Sequence, residues 1–169
     1  MVLHPEPREA LVIGLGGGAT AGAVSSHEGV QVDVVELSPG VVRAAQFFAH
    51  INEDVLNRPN VRVLVDDGRN YLLTTPKEYD VITADLILPI FSGAGNLYSV
   101  EYFRLVRDAL KDDGMAVQWV WGTEAEYKSI MRSFLAAFPH ATLWAGGQLM
   151  IGTKEPPRLT TRSIDSKPS

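Results

Sequence analysis

The sequence predicts an α/β protein whose mostly parallel, seven-stranded sheet ends in an antiparallel β-hairpin. Short apolar runs alternate with amphipathic stretches along the 169 residues, which is typical of strand–helix–strand units with right-handed crossovers. Near the end, two strand-like runs flank Gly146 and Gly147, and a glycine pair in that position indicates a hairpin with a two-residue turn. We expect one domain over residues 1–153 and a flexible, Pro- and Ser-rich tail over residues 154–169.

The first half of the chain alternates predicted strands and helices. Four apolar runs are predicted as buried strands, at residues 10–14, 30–37, 60–65 and 79–85. A glycine-rich turn follows the first of them and leads into a helix over about 18–27. Ser38 is predicted as an N-cap with Pro39 at the first helical position, and a short helix is predicted over 69–74.

The second half of the chain contains two longer helices and the closing hairpin. A helix is predicted over 99–111, and Asp113–Gly114 is predicted to turn the chain into a fifth strand at 115–121. Thr123 is a predicted cap for a helix over 124–138, and the runs ATLWA and QLMIGT form the final strands. A purely parallel nucleotide-binding sheet needs no closing hairpin, so this ending favours the Rossmann-like class I methyltransferase fold.

Charge and composition exclude several classes of function. Fifteen Lys and Arg oppose twenty Asp and Glu, and the basic residues are scattered. Nucleic-acid-binding domains usually show the opposite balance, so no nucleic-acid partner is expected. The lack of cysteine removes disulfides, thiolate metal ligands and Cys nucleophiles. We expect no metal site, and we expect the four histidines at the surface or at helix ends, namely His4, His27, His50 and His140.

No segment of the sequence resembles a membrane span or a signal peptide. The most apolar stretch, Ala10–Val24, contains five glycines and is shorter than the roughly 20 apolar residues that a spanning helix requires. The first ten residues lack the charged-then-apolar layout of a signal peptide. The sequence therefore predicts a soluble, cytoplasmic domain.

A glycine-rich loop directly after the first strand is the strongest local signal. Gly14, Gly16 and Gly18 allow the backbone to turn tightly and approach a ligand, and the start of the next helix offers free N–H groups. Glu36 ends the second strand 22 positions after Gly14, where an acid can accept both hydroxyls of a ribose. A turn that serves tight packing alone is the alternative, and the strand, helix and acid together favour a nucleoside site.

Two acids follow later strands at the same predicted edge of the sheet. Asp67, followed by Gly68, comes just after the third strand, where a carboxylate can accept from the exocyclic amine of adenine. A helix cap or Asx turn explains Asp67 equally well. Asp85 ends the fourth strand, and a carboxylate there can hold a cationic amine or take its proton. A turn-forming role is the alternative for Asp85.

The order of these motifs resembles the polyamine aminopropyltransferases, the spermidine and spermine synthase family, over roughly residues 9–153. The resembling segments are VIGLGGGAT, VDVVELSPGVV, NVRVLVDDGRNYL, YDVITADL followed by GNLYSVEYF, and LKDDGMAVQW. The resemblance implies a transferase of polyamine biosynthesis, in which an amine acceptor displaces methylthioadenosine from decarboxylated S-adenosylmethionine without a metal.

The resemblance also implies roles for individual residues. The three loop glycines would line the tail of the sulfonium nucleoside, Glu36 would bind its ribose, Asp67 with Gly68 its adenine, and Asp85 the amine nucleophile. Gln118 matches a family position near the nucleoside. Tyr98 would reach the amine pocket, and packing at the start of a helix is its alternative role.

Three departures from the family pattern each remove a polar contact to a cationic group of a substrate. Gly17 stands where the family's glycine loop holds an aspartate. Leu88, three positions after Asp85, stands where the family usually has a second aspartate that grips the diamine. The family's N-terminal β-domain, which closes the amine pocket, has no counterpart in this sequence. The amine site is therefore expected to be degenerate, and the apolar run 87–91 suits a more apolar acceptor.

Other functions stay open on the sequence alone. A small-molecule methyltransferase that uses ordinary S-adenosylmethionine is favoured by Gly17, and a non-catalytic nucleoside-binding domain of a larger membrane protein is a third hypothesis. Some bacterial relatives are fused to membrane-spanning segments, so the chain resembles the soluble part of such a protein. A homodimer is a further hypothesis. An NAD-dependent dehydrogenase fits less well, because the hairpin and the position of Asp67 favour the methyltransferase-type sheet.

Overall fold

The computed structural model describes residues 4–84 and 94–156, and these contain one seven-stranded sheet in the order β3-β2-β1-β4-β5-β7-β6. Strands β1 to β5 run parallel to one another, and β7 is antiparallel to both β5 and β6. The predicted fold class is therefore confirmed. The strands are β1 Glu9–Ile13, β2 Gln31–Glu36, β3 Val61–Val65, β4 Tyr79–Ala84, β5 Leu110–Trp119, β6 His140–Trp144 and β7 Leu149–Thr153.

Five α-helices connect these strands in the described part of the chain, and their starts follow the capping signals. Ser38 accepts a hydrogen bond from the backbone of Val41, and Thr123 forms a reciprocal capping box with Glu126. None of the described helices is long and apolar enough to cross a bilayer. The helices are α1 Ala19–Ser25, α2 Pro39–Ala45, α3 Gly68–Thr74, α4 Val100–Asp108 and α5 Glu124–Ala137.

The core lies on both faces of the sheet, and β1 is buried between them. Alternate residues of a strand point to opposite faces. Leu11 and Ile13 share an apolar cluster with α4 and α5, whereas Ala10 and Val12 share another with α1. Of the four runs predicted as buried strands, β1, β2 and β4 are buried on both sides. The prediction was wrong for β3, which has no buried residue because it lies at the edge of the sheet.

Two sequence predictions for local structure were wrong. The predicted turn at Asp113–Gly114 lies inside β5, which begins at Leu110 because that buried side chain enters the sheet beside Tyr79 directly after α4. The register shifts in this stretch, and a Cβ at Gly114 would lie 2.9 Å from the carbonyl oxygen of Tyr79. The hairpin turn is longer than two residues, since a 3-10 turn over Ala145–Gly147 precedes β7 and all three of its residues have positive φ.

The histidines follow the prediction with one exception. His27, His50 and His140 are exposed, as expected. His4 was expected at the surface but is 5% exposed, because the segment before β1 folds against the start of β4. The burial of His4 results from long-range packing, which local spacing does not reveal.

The sheet order decides where a ligand can bind. Strands β1 to β4 are parallel, so their carboxyl ends lie at one edge, called here the carboxyl edge. The order reverses between β1 and β4, and such a switch point opens a crevice at that edge. The glycine loop follows β1, Glu36 ends β2 and Asp67 follows β3, so all three reach this edge.

Candidate functional site

The loop between β1 and α1 has a backbone that glycine alone adopts without strain. Gly14, Gly16 and Gly18 have φ values of 87°, 53° and 87°, all in the left-handed region. The amide of Gly14 donates to the carbonyl of Val35 at 2.8 Å, which ties the loop to β2. A Cβ placed on Gly16 or on Gly17 would meet nothing within 4 Å. One side of the loop is therefore open to a ligand.

Asn52 holds the other side of the loop, and the sequence did not point to it. Its side chain is 1% exposed, and its Nδ2 donates to the carbonyl oxygens of Gly17 and Ala45, both at 2.9 Å. A Cβ on Gly18 would lie 2.9 Å from that same Nδ2. The loop glycines therefore serve packing on one side and remain accessible on the other. Asn52 lies far along the chain in no recognisable motif, so only the fold reveals this contact.

Glu36 lies beside the loop, as its spacing predicts, and it also holds the loop in place. The carboxylate is 8% exposed, with Oε2 accepting from the amide of Leu15 at 2.8 Å and Oε1 from the amide of Ser38 at 2.9 Å. Each carboxylate oxygen can accept more than one hydrogen bond. Glu36 can therefore keep both backbone contacts and still accept hydroxyl groups from a ligand at the open side of the loop.

Asp67 caps α3, which is one of the two roles that the sequence left open. Its Oδ1 accepts from the amides of Arg69 and Asn70 at 2.9 and 3.0 Å, and the residue is exposed. Among the described residues, its Oδ2 makes no hydrogen bond, so the cap leaves one oxygen available. The contact to adenine stays a prediction.

Gly68 allows α3 to begin directly against the end of β1. A Cβ at this position would lie 2.5 Å from Cγ2 of Ile13, closer than real Cβ contacts come. The glycine therefore brings Asp67 next to the loop that follows Ile13. Its structural role is positioning, and a direct contact of Gly68 with a nucleoside stays a prediction.

Gln118 lies at the carboxyl end of β5, beside the end of β4. It is 2% exposed, and its Nε2 donates to the carbonyl oxygens of Trp119 at 2.9 Å and Ala84 at 3.3 Å. The side chain therefore fixes the last residue of β4, after which Asp85 follows. Asp85 and Leu88 lie outside the described residues.

Two buried tyrosines lie at the start of α4, Tyr98 just before it and Tyr102 in its first turn. Tyr98 ends a short 3-10 segment and is 7% exposed within the apolar cluster that α4 and α5 share. It therefore packs in the core, and its contact with the amine pocket stays a prediction. Tyr102 is fully buried, and its hydroxyl has no hydrogen-bond partner among the described residues. Burial raises the pKa of Tyr102, so this hydroxyl stays neutral. Nothing in the sequence indicated an unpaired polar group at this position.

The geometry agrees with comparisons against known proteins. The family model described as the spermine/spermidine synthase domain matches residues 1–143. The chain belongs to this family. A polyamine aminopropyltransferase of Aeropyrum pernix is 35% identical over 149 residues, which cover 83% of this chain and 47% of that protein. The enzyme of the same name from Methanocaldococcus jannaschii is 37% identical over 116 residues, which cover 68% of this chain and 39% of that protein.

Solved structures confirm the fold of this spermine/spermidine synthase domain. A spermidine synthase in complex with the transition-state analogue AdoDATO superposes with a TM-score of 0.81 at 23% identity, covering 98% of this chain and 63% of that one. Human methyltransferase-like protein 13 in complex with SAH gives a TM-score of 0.75 at 19% identity, covering 95% and 78%. The chain spans about half or less of the length of the two curated relatives described above.

In this family member, the structure brings together the nucleoside half of the predicted site. The glycine loop, Glu36 and Asp67 converge at the carboxyl edge, and Gln118 holds the end of the neighbouring strand. Gly17 presents open space and no carboxylate, since a Cβ there would meet no atom within 4 Å. The loop from Gly14 to Gly18 thus offers backbone groups, and no charged side chain, to the tail of a ligand.

Proposed function

We propose that this domain binds S-adenosylmethionine or its decarboxylated form and transfers the aminopropyl group of the latter to a small-molecule amine. The observation that carries the proposal is the Glu36 carboxylate hydrogen-bonded to an open loop with three left-handed glycines at the sheet's switch point. The curated relatives named polyamine aminopropyltransferase support the same reaction.

The residues of this chain would mainly align the two substrates. The ribose hydroxyls donate to Glu36, the adenine amine donates to the free oxygen of Asp67, and the nucleoside's tail lies along the open side of the loop. The amine nitrogen attacks the carbon next to the sulfonium, so a C–N bond forms as the C–S bond breaks and methylthioadenosine leaves. The sulfonium makes the leaving group good, and the rate gain comes from alignment and from keeping the amine unprotonated.

Asp85 is the residue that we assign to the amine, on the basis of the family resemblance and its place after β4. Its carboxylate would orient the amine and take its proton, which typically contributes 10²–10⁴-fold to a rate. We therefore expect Asp85→Asn to lose turnover by about 100-fold or more while its affinity for methylthioadenosine stays near that of the parent. Initial rates and calorimetry measure the two effects separately. A variant as active as the parent would remove Asp85 from the mechanism.

Gly17 bears on which donor the site prefers. A carboxylate at this position would attract the cationic amine of the decarboxylated donor and repel the carboxylate of ordinary S-adenosylmethionine. Gly17 lies outside the left-handed region and a Cβ there meets no atom within 4 Å, so an added side chain fits without strain. Gly17→Asp is expected to shift the affinity ratio of the two donors toward the decarboxylated one by about 10-fold or more.

The matched control for this shift is Gly17→Asn, which has nearly the same size and no charge. It should leave the ratio of the two affinities close to that of the parent in calorimetry. An equal shift in both variants would show that the size of the side chain, not its charge, selects the donor.

A small-molecule methyltransferase is the second candidate, favoured by the uncharged loop at Gly17. Product analysis separates the two functions: the chain is incubated with each donor and with putrescine, spermidine or a more apolar amine. An aminopropylated amine with methylthioadenosine supports the first proposal, and a methylated product supports the second. Absence of both products would contradict both reactions. The cytoplasmic location, a homodimer and fusion to membrane segments stay predictions.

A further inference from the structure

His4 lacks the partners that a buried histidine normally has. Its side chain is 5% exposed, and neither Nδ1 nor Nε2 has a hydrogen-bond partner among the residues that the structure describes. Most buried polar side-chain atoms in proteins are hydrogen-bonded, and an unpaired one destabilises the fold. The unpaired imidazole therefore points to a ligand that satisfies it.

Two carboxylates face this imidazole. One ring nitrogen of His4 and one oxygen each from Asp80 and Asp113 all lie within 4.8 Å of one another. Asp80 is buried near the start of β4, and Asp113 is exposed in the irregular first part of β5. The three residues lie far apart in the sequence, which is why spacing alone indicated no metal site.

The surroundings of Asp80 keep its carboxylate ionised and fixed. Its Oδ2 accepts from the amides of Arg8 and Glu9, both at 2.8 Å, and Lys111 Nζ lies 2.9 Å from both carboxylate oxygens. Burial by itself would raise the pKa of Asp80, but Lys111 and the two amides outweigh it and lower the pKa. Oδ1 contacts Lys111 alone among the described residues, so it keeps a lone pair for a cation.

We propose that His4, Asp80 and Asp113 form a site for a divalent transition-metal ion, with Zn²⁺ or Co²⁺ as the best-suited ions. One imidazole nitrogen and two carboxylate oxygens are a ligand set that these ions accept, whereas Mg²⁺ and Ca²⁺ prefer oxygen alone. Lys111 is the competitor for Asp80, and its side chain is 34% exposed, so it can swing into solvent when the ion binds.

The position of the site indicates a structural role. Asp80 is the second residue of β4, whereas the proposed nucleoside site lies beyond the last residue of the same strand. A bound ion would tie the segment that precedes β1 to the starts of β4 and β5. Metal binding should therefore stabilise the fold without changing turnover, and it is independent of the proposed transferase activity.

Thermal unfolding of the full chain tests the site. The chain is stripped of metal ions with EDTA and dialysed. Its thermal unfolding is then followed in the presence of a modest excess of ZnCl₂, CoCl₂ or MgCl₂. Zn²⁺ and Co²⁺ are expected to raise the Tm by about 5 °C or more at saturation, and Mg²⁺ to leave it unchanged. Bound Co²⁺ should also show visible absorption. No rise in Tm with Zn²⁺ or Co²⁺ would overturn the proposal.

Variants separate a built site from adventitious binding. His4→Ala should abolish the metal-dependent rise in Tm, measured against its own metal-free sample, and Asp113→Asn should weaken metal affinity at least 10-fold. Lys111→Met removes the competing ammonium and should strengthen metal affinity. His27→Ala is the matched control, because His27 is exposed elsewhere on the chain and should leave the rise intact. An equal rise in His4→Ala and the parent would show an adventitious ion only.

Discussion

Replacing Glu36 by alanine is expected to lower the affinity for methylthioadenosine at least 100-fold. The change removes the acceptor of the Leu15 and Ser38 amides, so the loop loses its anchor, and it removes the acceptor proposed for the ribose. A hydrogen bond to a charged group contributes about 1.5–3 kcal/mol, so two lost ribose contacts alone correspond to roughly 10²–10⁴ in affinity. Calorimetric titration of parent and variant measures the loss.

Two further variants define what the Glu36 result means. Glu28→Ala removes an exposed acid next to the turn after α1 and should leave the affinity unchanged. Glu36→Gln keeps one acceptor oxygen but presents an N–H₂ group to one of the two amides, so an intermediate loss is expected. An affinity within twofold of the parent in Glu36→Ala would show that this carboxylate does not bind the nucleoside.

Gly22→Ala is expected to destabilise the fold by about 2–3 kcal/mol. Alanine in place of glycine inside a helix normally stabilises by about 1 kcal/mol. At Gly22, however, an added Cβ would overlap the carbonyl oxygen of Asn52, which is backbone and cannot rotate away. The overlap should outweigh the helical preference and lower the Tm by roughly 5–10 °C in a thermal melt.

The same change should also reach the nucleoside site. Asn52 holds the carbonyl of Gly17, so displacing the Asn52 backbone shifts the loop, and nucleoside affinity should fall even at temperatures where the variant is folded. Gly17→Ala is the matched control, since a Cβ there meets no atom within 4 Å and the Tm should stay within about 1 °C. A Gly22→Ala variant as stable as the parent would contradict the close approach of α1 to Asn52.

Local patterns predicted the features that depend on neighbouring residues in the sequence. The apolar runs became the parallel strands, and Ser38 and Thr123 cap the helices that they precede. Glu36 was found because a strand's end and a glycine loop have a fixed spacing in this kind of sheet. The closing strands were predicted as a pair, which gave the correct fold class.

Contacts between distant segments could not be predicted in the same way. Asn52 binds the loop from a non-repetitive segment, and His4 is buried only because the chain before β1 meets Asp80. Asp113–Gly114 has the composition of a turn, yet the burial of Leu110 beside Tyr79 draws it into β5. Each of these outcomes was decided by tertiary packing that overrides local preference.

The role of Asp67 illustrates a different limit. Sequence position alone left the cap and the adenine contact equally supported, and the structure shows the cap while leaving one carboxylate oxygen available. The two roles are therefore compatible, because Oδ1 serves the helix and Oδ2 makes no hydrogen bond among the described residues. Ligand binding, not further inspection of the fold, distinguishes them.

Calorimetric titration of the chain with methylthioadenosine, S-adenosylmethionine and the decarboxylated donor tests the nucleoside site most directly. We expect saturable binding of at least one of them at one site per chain, with competition between the nucleosides and with loss of binding in Glu36→Ala. Absence of binding for all three, in a chain whose thermal melt shows that it is folded, would contradict the assignment of the carboxyl edge as a sulfonium-nucleoside site.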